Sequence, residues 1–383
     1  MKVLVVGFPY VRERYFATFR HWPDGDISFL LPRVWTAKEG KVVFRPPTDP
    51  NITTATAYFS HSHYPVVGGL LKGFMPGFAA HLWRHRHQID IVYSCSEPTL
   101  LTTLSQACFS KLLGKKHVCF SWENIPYDQK FHGLSRFVHI VLLRLNLLLS
   151  DGLICGNQAG AVLHQRYTGK PIVVIPMNGL DPEAFRRQNA IERPTHLASK
   201  IVYAFVGAVG YRKGIHIALH ALIEVLKSIP NAHLIIAGSG EYQRQIEALI
   251  DELDLRDSVT VFPWVDHKEL IRILSVTDVF VYPSIPHKGW AEQFGYAMAE
   301  ASLAQLPVIS TQSGSIGDVI LDGRTGILVS PDDVGQLAAA MTTLGTDAQL
   351  RERLGKAGRQ YIESNFSHHV VARKFYDFFR TLL

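Results

Sequence analysis

The feature that most constrains the fold of this 383-residue chain is a helix-prone segment between two strand-like runs. The segment covers residues 290–301, and the apolar runs cover residues 279–283 and 307–310. Such a strand–helix–strand unit makes the two strands parallel and sets the helix N-terminus at the carboxyl edge of the sheet. We therefore expect a ligand site at this edge, because α/β folds bind their ligands there.

The start of the predicted helix is suited to an anion. A helix that begins near Phe294 and Gly295 directs unpaired backbone N–H groups outward, and the glycine lets a ligand approach closely. Glu292 precedes this point and Glu300 lies more than one turn inside the helix. The spacing of the two carboxylates suits a long ligand with hydroxyl groups at both ends, and a sugar diphosphonucleoside has that layout.

Length and composition predict two domains and restrict the partners. A chain of this length is too long for one ordinary core. Its net charge of +6 is spread over the sequence. We find no basic run with interleaved aromatics, so nucleic acid is the least expected partner. The four cysteines form no C-x-x-C pair and indicate buried thiols in a reducing compartment.

The N-terminal half has the alternating strands and turns of a Rossmann-like domain. Residues 3–6 form a strand-like run that ends at Gly7, with no G-x-G-x-x-G fingerprint for a dinucleotide. No signal peptide or apolar run of membrane-spanning length is recognised, and we expect a cytoplasmic protein. The basic segment 81–87 indicates contact with an anionic lipid face or, more simply, a solvated helix. Residues 137–149 are interpreted as a core helix.

Another strand-like run, residues 116–121, leads to Glu123 and Asn124. Both are expected at the carboxyl edge of the first sheet, where α/β folds place the side chains that contact ligands. Three roles stay open for Glu123: a base, a sugar ligand or a capping group. His85 and His87 lack partner ligands at metal-binding spacing, so we predict no metal site.

The C-terminal half begins with a strand-like run over residues 201–207. Gly207 opens a loop that carries Arg212 and Lys213 in front of a predicted helix, an arrangement that neutralises phosphates. Gly238 ends the next strand-like run. Beyond the following one, Trp264 or Val265 is a candidate to line a base pocket.

Residues 290–301 resemble the E-x7-E signature of the retaining GT-B glycosyltransferases of family 4. The resemblance implies that Glu292 binds the donor sugar, that Glu300 binds the ribose, and that the backbone after Glu292 (Gln293, Phe294, Gly295) holds the diphosphate. Segments 238–240 and 322–329 are also similar to family patterns. The chain departs from G-R-L-x-x-x-K-G at Ala208, where the family has an arginine that Arg212 would replace, and from G-G-x-x-E at Asp318.

The resemblance implies an α/β fold of two Rossmann-like domains that face each other across a cleft. We place the acceptor domain at residues 1–182, with helix 370–383 packed back on it, and the nucleotide-sugar domain at 183–369. The expected enzyme transfers a hexose-type sugar from a UDP- or GDP-linked donor to a glycan or lipid-linked acceptor, without cofactor or metal, with peripheral contact at the inner membrane face. The resemblance also makes Gly7, Glu123 and Asn124 candidates for acceptor contacts. The alternatives are a nucleotide-sugar epimerase and a non-catalytic nucleotide-sugar-binding protein.

Overall fold

The computed structural model describes residues 1–36, 43–60, 67–186, 193–263 and 265–383. These residues divide into two compact units. The first consists of Met1–Leu180 together with Phe366–Leu383, and the second of Asp181–Asn365. Each unit is built around one parallel sheet of apolar strands, which is the arrangement that alternating strands and helices favour.

The first unit contains a seven-stranded parallel sheet in the order β5-β2-β1-β6-β7-β8-β9. A separate antiparallel pair is formed by β3 and β4. The strands are β1 (Lys2–Val6), β2 (Asp26–Pro32), β3 (Trp35–Thr36), β4 (Val43–Phe44), β5 (Ile52–Ala55), β6 (Ile91–Ser94), β7 (Lys116–Ser121), β8 (Gly152–Cys155) and β9 (Ile172–Val174).

Helices cover the sheet of the first unit. They are α1 (Glu13–Phe16), α2 (Val67–Leu70), α3 (Phe78–Arg84), α4 (Leu101–Leu112), α5 (Tyr127–Lys130), α6 (Gly133–Leu149), α7 (Gln158–His164) and, from the C-terminal segment, α14 (His368–Arg380). The α14 rings pack in the core of this unit, where Phe375 lies 5.5 Å from the ring of Tyr93 and 5.5 Å from that of Phe19.

The second unit contains a six-stranded parallel sheet in the order β12-β11-β10-β13-β14-β15. The strands are β10 (Ile201–Val206), β11 (Ala232–Ala237), β12 (Val259–Phe262), β13 (Val279–Tyr282), β14 (Val308–Thr311) and β15 (Gly326–Val329). The helices are α8 (Ile215–Ser228), α9 (Gln243–Glu252), α10 (His267–Val276), α11 (Tyr296–Leu303), α12 (Val334–Thr346) and α13 (Ala348–Phe366), whose last residue belongs to the first unit. The predicted α/β fold with two parallel sheets is confirmed.

The strand orders fix where each unit holds ligands. In the first sheet the strand order runs outward from β1 in one direction and from β6 in the other. In the second sheet it runs outward in the same way from β10 and from β13. Parallel sheets bind ligands in the crevice at such a reversal of strand order, outside the carboxyl ends of the strands. The loops after these four strands are therefore the first places to look for functional side chains.

Two sequence-based interpretations hold only in part. Helix α6 packs one face in the core, but Leu134, Phe137 and Leu148 on another face are 77%, 65% and 69% exposed. The cysteines are not all buried, since Cys108 on α4 is exposed. Among the described residues, no helix combines the length and the apolar character that crossing a membrane requires.

Candidate functional site

Lys213 and Glu292 form a buried ion pair at the reversal point of the second sheet. Nζ of Lys213 lies 2.5 Å from Oε2 of Glu292, and both residues are 7% exposed. The Tyr282 hydroxyl donates to the same carboxylate oxygen at 3.1 Å. Burial lowers the pKa of Lys213 while the Glu292 carboxylate acts in the opposite direction. The site therefore holds a charged hydrogen-bond donor next to a charged acceptor, both shielded from water.

A glycine places Lys213 against β13. Lys213 ends a short 3-10 turn, and Gly214 follows with φ 69° as the N-cap of α8. A Cβ at Gly214 would lie 1.9 Å from the carbonyl oxygen of Pro283, so only glycine fits there. The carbonyl of Arg212 accepts from the N–H of Ile285 at 2.8 Å. The turn is thereby tied directly to the strand end that carries the partner of Lys213.

Glu292 is held by the loop after β14. Its carbonyl accepts from the N–H of Ser315 at 2.8 Å, and a Cβ at Gly314 would lie 2.3 Å from the same oxygen. Gly314 has φ 57°. The turn at residues 314–318, which resembles a family motif, thus has a local structural role here: its first residue, Gly314, allows the backbone of Glu292 to approach.

Arg212, which precedes Lys213 in the chain, lies over an aromatic ring. Its guanidinium carbon is 3.7 Å from the ring centroid of Trp290, and Nζ of Lys213 is 4.9 Å from the same centroid. Both cations are thus held beside the segment that leads to Glu292 by cation–π contacts. Sequence reasoning did not predict that the rings of Trp290 and Tyr282 contact these cations.

Helix α11 begins where the sequence predicts. Gly295 is its N-cap with φ 78°, and the carbonyl of Gly295 accepts from the N–H of Met298 at 2.9 Å. Phe294 is buried, while Gln293 and Glu300 are half-buried. The first N–H groups of a helix have no partner within the helix and carry its positive end. The start of α11, directly after Glu292, is consequently suited to an anion.

Gly207 and Gly238 close the strand ends on the other side of the reversal point. Their φ angles are 153° and 145°, and a Cβ at Gly238 would lie 1.8 Å from the carbonyl oxygen of Gly207. Gly238 therefore needs glycine for close backbone approach, whereas at Gly207 a Cβ would have room and only the φ angle favours glycine. Val265 is half-buried just before the N-cap residue Asp266 of α10, and Trp264 lies outside the described residues.

Gly7 occupies the corresponding place in the first unit. It follows β1 with φ 149°, and a Cβ there would lie 3.0 Å from the carbonyl oxygen of Cys95, which follows β6. The glycine brings the two loops at this reversal point together. Its contact is with the protein backbone, so a packing role is sufficient to explain it, and its acceptor role stays a prediction.

Glu123 is buried beside a second carboxylate that sequence reasoning missed. Its Oε1 accepts from the N–H of Ile125 at 3.3 Å, as a capping group does, and its Oε2 pairs with Lys130. Glu97, after β6, accepts from the hydroxyl of Ser121 at 2.7 Å and the N–H of Trp122 at 2.8 Å. Burial, and then the Glu123 charge, raise the pKa of Glu97 to about 7. Glu97 lies 26 residues before Glu123 in the chain, so the sequence alone did not indicate that the two carboxylates are close.

Other candidates are located without a defined role. Asn124 is half-buried next to Glu123. Within the described ranges, no three His, Cys, Asp or Glu side chains converge to hold a metal ion. His81 and His85 lie with their ring centroids 4.6 Å apart, and burial lowers the pKa of His81 to about 4.

Comparison with known proteins connects this geometry to a family. Residues 187–361 match the family model described as glycosyl transferases group 1. Glycogen synthase of Mycobacterium tuberculosis is 32% identical over 245 residues, which are 63% of this chain and 56% of that protein. A GDP-mannose-dependent alpha-(1-6)-phosphatidylinositol monomannoside mannosyltransferase of the same species is 27% identical over 208 residues, 53% of this chain and 54% of that protein. The chain thus spans about half the length of the curated relatives it matches.

A solved structure extends the likeness to the fold. HepE of Anabaena in complex with UDP aligns with a TM-score of 0.73 at 16% identity, covering 100% of both chains. Sucrose-phosphate synthase of Thermosynechococcus elongatus aligns with a TM-score of 0.73 at 19% identity, covering 99% of this chain and 98% of that chain. The predicted resemblance to GT-B glycosyltransferases is confirmed at the level of the glycosyl transferases group 1, and so is the GT-B fold class.

Proposed function

We propose, from the match of residues 187–361 to the glycosyl transferases group 1, that this chain is a sugar transferase. It moves a hexose-type sugar from a nucleotide sugar to a glycan or lipid-linked acceptor. The transfer retains the anomeric configuration and needs no metal. The observation that carries the proposal is the buried Lys213–Glu292 pair directly before the N-terminus of α11.

The donor roles follow from charge and position. Lys213 and the first N–H groups of α11 stabilise the negative charge that builds on the departing diphosphate, with Arg212 as a second cation. The Glu292 carboxylate accepts hydrogen bonds from the sugar hydroxyls. The Glu300 carboxylate, on α11, accepts hydrogen bonds from the ribose hydroxyls. Gln293, Phe294 and Gly295 supply the backbone beside the phosphates. Gly207, Gly238 and Val265 line the remaining donor surface.

The donor base is either uracil or guanine. Relatives of both kinds support this pair, since HepE was solved with UDP and the mannosyltransferase is named for GDP-mannose. The mannosyltransferase's name also supports a lipid-linked acceptor. On the acceptor side, the buried Glu123, with Asn124 and Gly7, is proposed to face the incoming hydroxyl. We propose that the protein works in the cytoplasm at the inner membrane face.

A thermal-shift panel tests the donor site. UDP-, GDP- and ADP-sugars are added to the wild type, to Glu300→Ala and to Glu252→Ala, a control on the exposed face of α9. One nucleotide class should raise the melting temperature of the wild type and the control, because a ligand that binds the native state stabilises it. Glu300→Ala should lose most of the shift. An unchanged shift in Glu300→Ala would rule out the ribose role.

Product analysis separates the alternative functions. A transferase releases nucleotide and forms a glycoside only with an acceptor, whereas an epimerase changes the donor sugar without one. A sensor binds the nucleotide with no turnover across an acceptor panel. Activity that survives EDTA treatment supports the metal-free proposal, and activity that returns only with added Mg²⁺ or Mn²⁺ contradicts it.

A further inference from the structure

Helix α6 exposes a continuous stripe of large apolar side chains. Leu134, Phe137 and Leu148 are 65–77% exposed, and Val141 and Leu145 lie between them at 38% and 40%. Successive spacings of three and four residues place these side chains on one face of the helix. The opposite face, with Leu143 and Leu147, already packs in the core. The helix therefore has one apolar face for its own fold and another without a described partner.

Helix α4 packs beside α6 and enlarges this surface. It contributes Leu101, Phe109 and Leu112, which are 37%, 41% and 78% exposed. Eight of the fifteen exposed large hydrophobic residues in the described ranges lie on these two helices. We call them the α4–α6 surface: Leu101, Phe109, Leu112, Leu134, Phe137, Val141, Leu145 and Leu148. Apolar clustering of this extent marks an interaction site.

The charges on the two helices of the surface have one sign. Neither α4 nor α6 contains an aspartate or glutamate, whereas α6 carries Arg136 and Arg144, both exposed. The nearest acid after α6, Asp151, is already paired with Lys111 at 2.6 Å and with Lys116 at 3.5 Å. Helical spacing places Arg144 at the edge of the apolar stripe and Arg136 on the side that faces away from it. An apolar face with an arginine at its edge matches an anionic lipid surface, where the apolar side chains enter the acyl boundary and the guanidinium group meets phosphates.

We propose that the α4–α6 surface binds the face of an anionic membrane. A second copy of the chain fits less well, because a contact between two α4–α6 surfaces would bring together arginines from both copies, and neither α4 nor α6 has an acid to neutralise them. Helix α3, which carries the exposed Trp83 and the start of the basic segment 81–87, also packs against α4. The membrane-binding surface is inferred independently of the proposed function. Only the statement that a lipid-linked acceptor lies in this membrane rests on that function.

Vesicle co-sedimentation tests the inference. The full chain is mixed with vesicles of phosphatidylcholine alone or of phosphatidylcholine with phosphatidylglycerol. The wild type should pellet with the anionic vesicles, and less at high salt. Phe137→Ser with Leu148→Ser should lower the bound fraction at least about tenfold, because both side chains lose apolar area. Arg144→Glu should lower it roughly tenfold, because it reverses one charge at the surface.

Two control variants match these changes elsewhere. Val43→Ser alters a 55% exposed apolar residue on β4, and Arg353→Glu reverses an exposed charge on α13. Both should pellet like the wild type. A wild type that stays in the supernatant with anionic vesicles at low salt overturns the inference, as does a stable dimer that Phe137→Ser with Leu148→Ser converts to a monomer. Nucleotide thermal shifts on the same samples report the proposed function separately.

Discussion

Nζ of Lys213 lies 2.5 Å from Oε2 of Glu292 although 79 residues separate them in the chain. The loop after β10 and the loop after β13 meet because their strands are neighbours at the reversal point of the second sheet. The pair is both a structural contact and the chemical centre of the proposed donor site. Its removal should therefore affect stability and nucleotide binding in separable ways.

Replacing both members of this pair should cost less stability than the two single replacements added together. Lys213→Met leaves a buried carboxylate without its cation, and we expect the free energy of unfolding to fall by about 3 kcal/mol. Combining Lys213→Met with Glu292→Gln should cost clearly less than the sum of the single changes, because the uncompensated charge is gone. Urea unfolding of the four proteins measures this coupling. Strict additivity would show that the ion pair does not contribute to folding.

Glu97 should make stability depend on pH near neutrality. Burial raises its pKa from 4.5 to about 7 in the folded protein. Between these values the folded state holds a proton that the unfolded chain has released, so the free energy of unfolding falls as pH rises through this window. The slope for one proton reaches at most about 1.4 kcal/mol per pH unit.

Glu97→Gln should remove this loss and flatten the profile, as measured by urea unfolding across the window. The groups around Glu97 are the Glu123 carboxylate and the Lys130 ammonium, together with Tyr127, Cys95, Cys119 and Cys155, whose pKa values burial raises so that they stay neutral there. Glu252→Gln on α9 is the exposed control and should leave the profile unchanged. A persistent slope in Glu97→Gln would assign the titration to another group.

Glu123→Gln should separate a chemical role from a capping role. If the carboxylate acts on the acceptor, glycoside formation should fall at least about 100-fold while the nucleotide thermal shift is kept. Asp128→Asn, an exposed change on the neighbouring α5, should retain activity. A loss of activity no larger than the loss of folded protein would instead assign Glu123 to capping Ile125.

Gly238→Ala should strongly destabilise the second unit. The new Cβ would lie 1.8 Å from the carbonyl oxygen of Gly207, so the backbone must move, at a cost of at least about 2 kcal/mol. Gly207→Ala has a comparable backbone requirement, φ 153°, but its Cβ would meet only side-chain atoms at 3.5 Å or more, and it should cost about 1 kcal/mol. Thermal unfolding of both variants tests the difference. Equal losses would show that φ, and not the close approach, sets the requirement.

Local pattern was sufficient for much of this protein. The apolar runs, the turns after them and the segment 290–301 predicted two parallel α/β sheets, the start of α11 at Gly295 and the family. These features depend on residues close together in the chain, where strand propensity, glycine conformations and helix N-termini act directly.

Only the tertiary structure decided which distant side chains meet and which faces stay uncovered. The contact of Lys213 with Glu292 and the position of Glu97 near Glu123 depend on strand order. The exposure of Leu134 and Leu148 depends on how much of α6 its neighbours can cover, although the sequence of that helix is apolar on both sides. The sequence by itself thus determined the elements and the family, while packing determined the charged pairs and the exposed surface, because pairing and burial are properties of neighbours in space.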